Sequence, residues 1–206
     1  MKKLIIQIVL IAISAFLIFK VYESIQEPVE YEKAKSTRAE VIITKITQIK
    51  NLQIEFKKVY GHYTSSFDTL IDFYQNGKIP FVLKIGSNDT LSEAKALQLK
   101  LIRRDTSYIP VKDSLFKDVA SFNIQNIMYV PFTDKKVKFE MEATTFEKSG
   151  YFLPVFEIRC YMKDYLYDIK EQELLVNEIN IMKEEEKFPG LKLGSLTEVS
   201  VDGNWQ

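Results

Sequence analysis

An uncharged apolar run at the N-terminus constrains this chain more than any other feature. The run extends from Leu4 to Phe19, and its apolar character continues past Lys20 to Tyr22. A helix over this stretch would be about 28 Å long, close to the roughly 30 Å hydrocarbon core of a bilayer. We therefore predict a transmembrane signal anchor over residues 1–22, with the lipid bilayer as its partner. The side chains expected to face lipid are Leu4, Ile8, Ile11, Phe16, Phe19 and Tyr22.

A cleavable signal peptide is the alternative interpretation of this run. Cleavage requires a short apolar region and a site of small residues, whereas the nearest candidate site, Ile13-Ser14-Ala15, contains a bulky residue. Lys2 and Lys3 precede the run, so the positive-inside rule predicts a cytoplasmic N-terminus. We expect a single-pass protein of the bacterial inner membrane whose C-terminal domain is periplasmic.

The charge balance argues against a nucleic-acid partner. The 206 residues contain 28 Lys and Arg against 28 Asp and Glu, whereas nucleic-acid-binding domains normally carry a basic excess. With 46% apolar residues the chain can bury a core of its own. Cys160 and His62 are the only residues of their types, which excludes an intramolecular disulfide and a zinc site built from Cys and His.

The sequence after the anchor predicts a stalk followed by a long helix. Residues 23–38 include Pro28, which suits a kink or a new helix start. The turns from Tyr31 to Arg38 are polar nearly all round, so we expect them to cross solvent as a stalk. From Ala39 to Val59 apolar residues recur at steps of three and four, the pattern of an amphipathic helix.

The remaining sequence predicts short helices and then an antiparallel sheet. Ser65 is the expected N-cap of a helix that ends at Gly77, and Thr90 with Glu93 predicts the start of another. Alternating apolar residues predict strands over 137–144 and 156–162, joined at a Ser149-Gly150 turn. Weaker strand patterns and one further helix complete the set: strands at 106–111, 123–132 and 196–201, and a helix at 171–187.

These elements define the expected fold class. It is α+β: an N-terminal transmembrane helix continues into a long amphipathic helix, which packs on an antiparallel β-sheet with additional short helices. The domain that lies outside the cytoplasm is expected to span residues 39–206.

The residue types that carry catalysis are scarce. His62 lies in a turn between two tyrosines without an evident partner, and Cys160 lies on the apolar face of a predicted strand, where burial makes a thiol inert. No phosphate-binding glycine loop and no hydrolase or metalloprotease motif is present. We therefore expect a protein that is not an enzyme, without catalytic, cofactor-binding or metal-binding residues and without a cofactor.

The first 80 residues resemble the type IV pilin and pseudopilin family. The resemblance is carried by the apolar N-terminal helix, the long amphipathic helix and the pattern Y-G-H-Y…L-I-D-F…G-K-I-P that follows it. It implies an antiparallel head domain held against the helix, and an apolar helix that enters a filament core. Prepilins carry a Gly before the apolar run and a Glu shortly after it; here Lys3 precedes the run and Gln7 is its early polar residue.

Three functions are compatible with these patterns. We favour a non-enzymatic, membrane-anchored scaffold or assembly subunit that contacts other envelope proteins or itself. The alternatives are a noncanonical pilin-like subunit of a filament or secretion machine, and a ligand-binding module outside the cytoplasm. The residues predicted to contact a partner are Tyr31, Arg38, Val41, Thr44 and Trp205.

Overall fold

The computed structural model describes residues 2–85, 103–117, 119 and 122–205, and it is mixed helix and sheet, as expected for an α+β fold. The helices are α1 (Lys2–Tyr60), α2 (Phe67–Asn76), α3 (Val111–Ser114), a 3₁₀ helix (Ile124–Asn126), α4 (Met162–Tyr165) and α5 (Gln172–Glu184). The strands are β1 (Lys78–Ile85), β2 (Arg103–Pro110), β3 (Glu140–Lys148), β4 (Tyr151–Tyr161) and β5 (Gly190–Gly194).

Helix α1 organises the fold. Its 59 residues form one helix, about 88 Å long at 1.5 Å per residue, that contains both the apolar run and the amphipathic segment. Pro28 lies inside it, although a proline has no N–H to donate to the carbonyl of Ser24. The predicted anchor, the predicted stalk and the core helix are therefore parts of one helical element.

The amphipathic prediction for Ala39 to Val59 is confirmed. One face of α1 is almost fully buried in the single described core cluster, with members Ile42, Ile46, Ile49, Leu52 and Phe56. Strand β4 contributes Phe156 and Ile158 to the same cluster, and β5 contributes Leu193. Burying each such aliphatic side chain contributes roughly 1.5–3 kcal/mol relative to leaving it in water, so this face holds the helix on the sheet.

A polar residue, Gln53, lies in the middle of this buried face. Its side chain is completely inaccessible to solvent, and it pairs with the backbone of the turn that follows the helix. The Gln53 amide donates to Thr64 O at 2.5 Å, and Gln53 Oε1 accepts from Thr64 N at 3.1 Å. Gly61 makes the turn possible with a φ of 81°, a region that L side chains rarely adopt. The glutamine thus ties the end of α1 to the backbone of the next segment.

Helix α2 begins one residue later than predicted. The N-cap is Ser66 instead of Ser65, and its Oγ accepts from Thr69 N at 3.3 Å. Gly77 ends the helix as predicted, and its backbone angles are extended and not left-handed. A side chain is excluded there by space, because a Cβ would lie 2.3 Å from Phe73 O.

The strands form two antiparallel sheets in the described residues. β1 pairs with β2, and a three-stranded sheet has the order β3-β4-β5. The predicted turn between β3 and β4 is confirmed: Ser149 and Gly150 both have positive φ, as a two-residue hairpin loop requires. The hairpin is longer than predicted, because the pairing extends as far as Lys148 opposite Tyr151.

Two weaker strand predictions are wrong. Residues 123–132 form the 3₁₀ helix and a single bridge between Tyr129 and Lys138, because Asn123 caps the 3₁₀ helix through its side chain. Residues 196–201 are irregular, and the strand instead lies at β5, where a glycine at each end lets the chain approach β4 closely. The helix predicted from Thr90 and Glu93 lies outside the described residues.

Candidate membrane anchor and contact surfaces

The first part of α1 exposes apolar side chains on every side. The helix contains one segment that is long and apolar enough to cross a membrane, and none of its most apolar 18-residue window is buried against the protein. Exposure of the predicted anchor residues is 58% for Ile8, 69% for Ile11 and 60% for Phe16. Phe19 and Tyr22 are equally exposed, and the side chain of Leu4 lies outside the described residues. Soluble monomeric proteins rarely expose a contiguous apolar surface of this size, and such surfaces mark membrane or protein contacts.

Polar contacts begin where the apolar run ends. Lys20 donates to Glu23 at 2.6 Å, and the Gln26 amide donates to Tyr22 Oη at 2.8 Å. All four side chains are on the exposed surface of α1 or at its margin, and none contacts the domain through these bonds. This cluster coincides with the C-terminal limit that the sequence predicts for the anchor.

The prediction of a solvent-crossing stalk between Tyr31 and Arg38 is wrong. Tyr31 is 6% exposed, its hydroxyl donates to Glu178 Oε2 at 2.5 Å, and Lys35 Nζ donates to Glu178 Oε1 at 3.0 Å. Burial, and then the bond to Glu178, raises the pKa of Tyr31. These turns of α1 therefore pack against α5 and do not cross open solvent.

Arg38 makes the second attachment of α1 to the C-terminal segment. Its guanidinium donates to Tyr165 O at 2.8 Å and forms an ion pair with Asp168. The hydrogen bond from Arg38 holds the pKa of Asp168 below its usual value. Tyr31 and Arg38 are thus used within the domain, and the expectation that they present free contact surface is corrected.

Val41 and Thr44 lie on the exposed side of α1, as the partner-contact prediction requires. Together with Lys45 and Gln48 they form one wall of a groove of about 340 Å³, which we call the Lys45 groove. The other wall is formed by residues in and around the 3₁₀ helix: Phe122, Asn123, Asn126, Ile127 and Pro131. The groove combines an apolar surface with amide groups and one cation.

Lys45 is the charged group of this groove. Its Nζ donates to Tyr129 O at 2.6 Å, and the side chain is half-buried. Burial, with a smaller effect from the nearby Lys135, lowers the pKa of Lys45 to about 8. This residue cannot be singled out from the sequence, because a lysine on the margin of an amphipathic face gives no signal of its own.

Trp205 does not project as a free aromatic anchor. Its ring is partly buried against the core cluster and lies directly beside Gly203, where an added Cβ would meet Trp205 Cε2 at 2.5 Å. Gly203 in turn forms a bridge with Leu193 of β5. The C-terminal tryptophan therefore packs back onto its own domain.

The residues considered for catalysis are not brought together. His62 is exposed, with Nδ1 3.0 Å from Tyr60 O and its ring edge against Phe56. Cys160 is 2% exposed, and burial raises the pKa of its thiol. In the described ranges no group of three or more His, Cys, Asp and Glu side chains could hold a metal ion.

Exposed aromatic side chains at the tip of the β3–β4 hairpin are a feature that the sequence analysis did not single out. Tyr151 is 73% exposed and Phe152 is 71% exposed. The ring of Phe156, further along β4, contacts Tyr63 just after the end of α1. Phe156 lies five residue steps along an extended strand from Tyr151, so the tip projects roughly 17 Å beyond this contact. Adjacent aromatics directly after a Ser-Gly turn were the signal available in the sequence.

No protein-family model, no curated protein and no solved structure matches the chain. The burial, contacts and charges of the described residues are therefore what support a function.

Proposed function

We propose that this protein is a single-pass, membrane-anchored scaffold or assembly subunit of a bacterial envelope that works through protein contacts and not through catalysis. The observation that carries the proposal is the division of α1 into two parts. Its N-terminal part is apolar and exposed on every side, and its C-terminal part is the central helix of a folded domain. A helix with such a surface is stable in a bilayer, where it leaves no backbone group unsatisfied.

The attachment of the domain supports a structural role. Tyr31 and Arg38 fasten α1 to the segment from Tyr165 to Glu178 within a few turns of the apolar part. The domain is consequently held directly at the end of the anchor and is not suspended on a loose linker. In the proposed orientation the N-terminus is cytoplasmic, the domain is periplasmic, and its partners are other envelope proteins or further copies of this chain.

Anchoring is tested by placing a charge in the apolar segment. Ile11→Arg should release the protein from membranes at alkaline pH or prevent its insertion, since an arginine at the centre of a span costs about 3 kcal/mol on insertion scales. Thr47→Arg is the matched control, because Thr47 is exposed on the part of α1 that packs on the domain. Equal membrane retention of both variants would contradict a transmembrane anchor.

Orientation is tested by labelling introduced cysteines with a membrane-impermeant maleimide on spheroplasts. The native Cys160 is buried and its thiol is held protonated, so it contributes little background. Glu198→Cys, at an exposed position, should be labelled. A cysteine inserted between Met1 and Lys2, which keeps both lysines, should be labelled only after the membrane is opened. The opposite labelling pattern would contradict the proposed orientation.

A pilin-like subunit is the second candidate, and the continuity of α1 favours it. An apolar half and a domain-packed half within one helix would let the apolar halves pack side by side in a filament while the domains lie outside. Cysteines introduced at Ile8 and Ile11 should then give a ladder of disulfide-linked multimers, and the intact mass should lack the first residues. Monomers of full-length mass would favour the scaffold.

A further inference from the structure

The Lys45 groove contains a cation without a counter-ion. No carboxylate of the described residues forms an ion pair with the Lys45 ammonium, and the neighbouring charge that affects it is another lysine, Lys135. Removing an ammonium from water is unfavourable unless an opposite charge or several acceptors replace the water. A partly buried cation in this position is therefore suited to bind an anionic group.

The ammonium also has unused hydrogen-bonding capacity. It carries three N–H donors, and one of them is directed to Tyr129 O. The described residues provide no second acceptor for Lys45 Nζ. An incoming carboxylate could accept from the remaining donors and would at the same time relieve the cost of holding the charge in a half-buried position.

The other groups of the groove fit a single negative charge next to an apolar group. Gln48 and Asn126 present neutral amides, and Asn123 uses its Oδ1 to accept from Gln125 N at 3.0 Å, which leaves its NH₂ group to donate. The apolar lining consists of Val41, Phe122, Ile127 and Pro131. Asp134 and Lys135 are exposed in an adjoining pocket that Lys45 also lines, and no ion pair joins Asp134 to the Lys45 ammonium.

The position of the groove favours a partner segment over an enclosed ligand. Its volume of about 340 Å³ lies within the range for small-molecule sites, so volume alone does not separate the two. One wall is the exposed side of α1, where Val41 and Thr44 are accessible to another protein. These properties suit two neighbouring side chains of a docked peptide better than an enclosed ligand.

We propose that the Lys45 groove receives a segment of an envelope protein in which an acidic side chain lies beside an apolar one, with the carboxylate bound to the Lys45 ammonium. The inference rests on the proposed scaffold function and specifies the chemistry of its partner. The apolar neighbour packs on Val41 and Phe122, and the amides of Asn123 and Asn126 donate to the carboxylate.

The chemistry is tested with two capped peptides that differ only in charge, acetyl-Leu-Glu-Leu-amide and acetyl-Leu-Gln-Leu-amide, titrated against the full chain in lipid nanodiscs. We expect the glutamate peptide to bind about tenfold more tightly, the size of effect typical of a hydrogen-bonded charge. Lys45→Met keeps the aliphatic stem and should remove the difference, with an unchanged or higher melting temperature. Equal affinities, absence of binding by both peptides, or a preference that survives Lys45→Met would overturn the proposal.

The source of the carboxylate is tested in intact membranes with a photo-crosslinking residue. Benzoylphenylalanine at Thr44 should give an adduct whose partner peptide contains Asp or Glu within a few residues of the linked position, and Lys45→Met should weaken this adduct several-fold. Thr47 is the matched control, since it is also an exposed threonine on α1 but does not line the groove.

The pattern of adducts separates failure of the groove from failure of the scaffold. Adducts from Thr47 or from Tyr151 at the hairpin tip, with none from Thr44, would overturn the groove and leave the scaffold function supported. Absence of protein adducts from all three positions would overturn both.

Discussion

The buried Gln53 offers the sharpest test of how the end of α1 is held in place. We predict that Gln53→Met, which keeps the length and approximate volume of the side chain, destabilises the domain by about 2–3 kcal/mol. Two hydrogen bonds to Thr64 are lost, each worth about 1 kcal/mol net. The N–H and C=O of Thr64 also lose their partner in a partly buried turn, and burial of the methionine offsets only part of this cost.

The assay is denaturant unfolding of the full chain in detergent, followed by circular dichroism, with the midpoint compared at constant slope. Gln48→Met is the matched control, because Gln48 is a partly exposed glutamine on the same helix without a side-chain hydrogen bond to a described residue. The control should change stability by no more than about 0.5 kcal/mol. A loss below about 0.5 kcal/mol for Gln53→Met, equal to that of the control, would refute the role of the glutamine.

Three further predictions concern backbone space and charge. Gly77→Ala should destabilise the domain by about 1–3 kcal/mol, because the added Cβ collides with Phe73 at the end of α2. Gly150→Asn should be tolerated, because nothing lies within 4 Å of the added Cβ and asparagine accepts positive φ. The unfolding midpoints of the two variants test both expectations. Arg38 lowers the folded-state pKa of Asp168. The contribution of this pair to stability should therefore be present above the unfolded pKa of 3.8 and be lost as the pH falls through the folded pKa. Melting temperatures that decline equally in acid for the wild type and Arg38→Met would contradict this prediction. For Lys45 the folded pKa of about 8 lies below the unfolded 10.5, so the unfolded chain binds the extra proton between these values and stability should rise with pH across that window. After allowance for solvent screening Lys45→Met should raise stability at pH 7 by about 1–2 kcal/mol and flatten this rise, and a destabilised variant would show that the charge is compensated.

Local chemistry explains which parts of the fold the sequence predicts. The amphipathic face from Ala39 to Val59 follows from spacing alone, because burial against any sheet selects the same residues. The Ser149-Gly150 turn follows from the positive φ that a two-residue hairpin loop needs. Strand β5 escaped prediction because it is five residues long and owes its place to pairing with β4, not to a pattern of its own.

The contact surfaces were predictable only where no distant partner intervenes. Val41 and Thr44 are exposed, as expected from their position on α1. Tyr31 and Arg38 were misjudged because their partners, Glu178 and Asp168, are 147 and 130 residues away along the chain. A helical turn that is polar on all sides can equally face water or an ion-paired neighbour, and only tertiary structure distinguishes the two.

Because α1 is one continuous helix, a change in the tilt of its N-terminal part would move the domain at its other end. From Tyr22 to Tyr60 the helix is about 57 Å long, so a change of 10° in the tilt of the span would move the far end of the domain by roughly 10 Å. Transmembrane helices adjust their tilt to the thickness of the hydrocarbon core. In the proposed arrangement a thinner or thicker bilayer would therefore change the positions of the Lys45 groove and the aromatic hairpin tip in the periplasm. The distance from the domain to its partner would then depend on the lipid around the anchor.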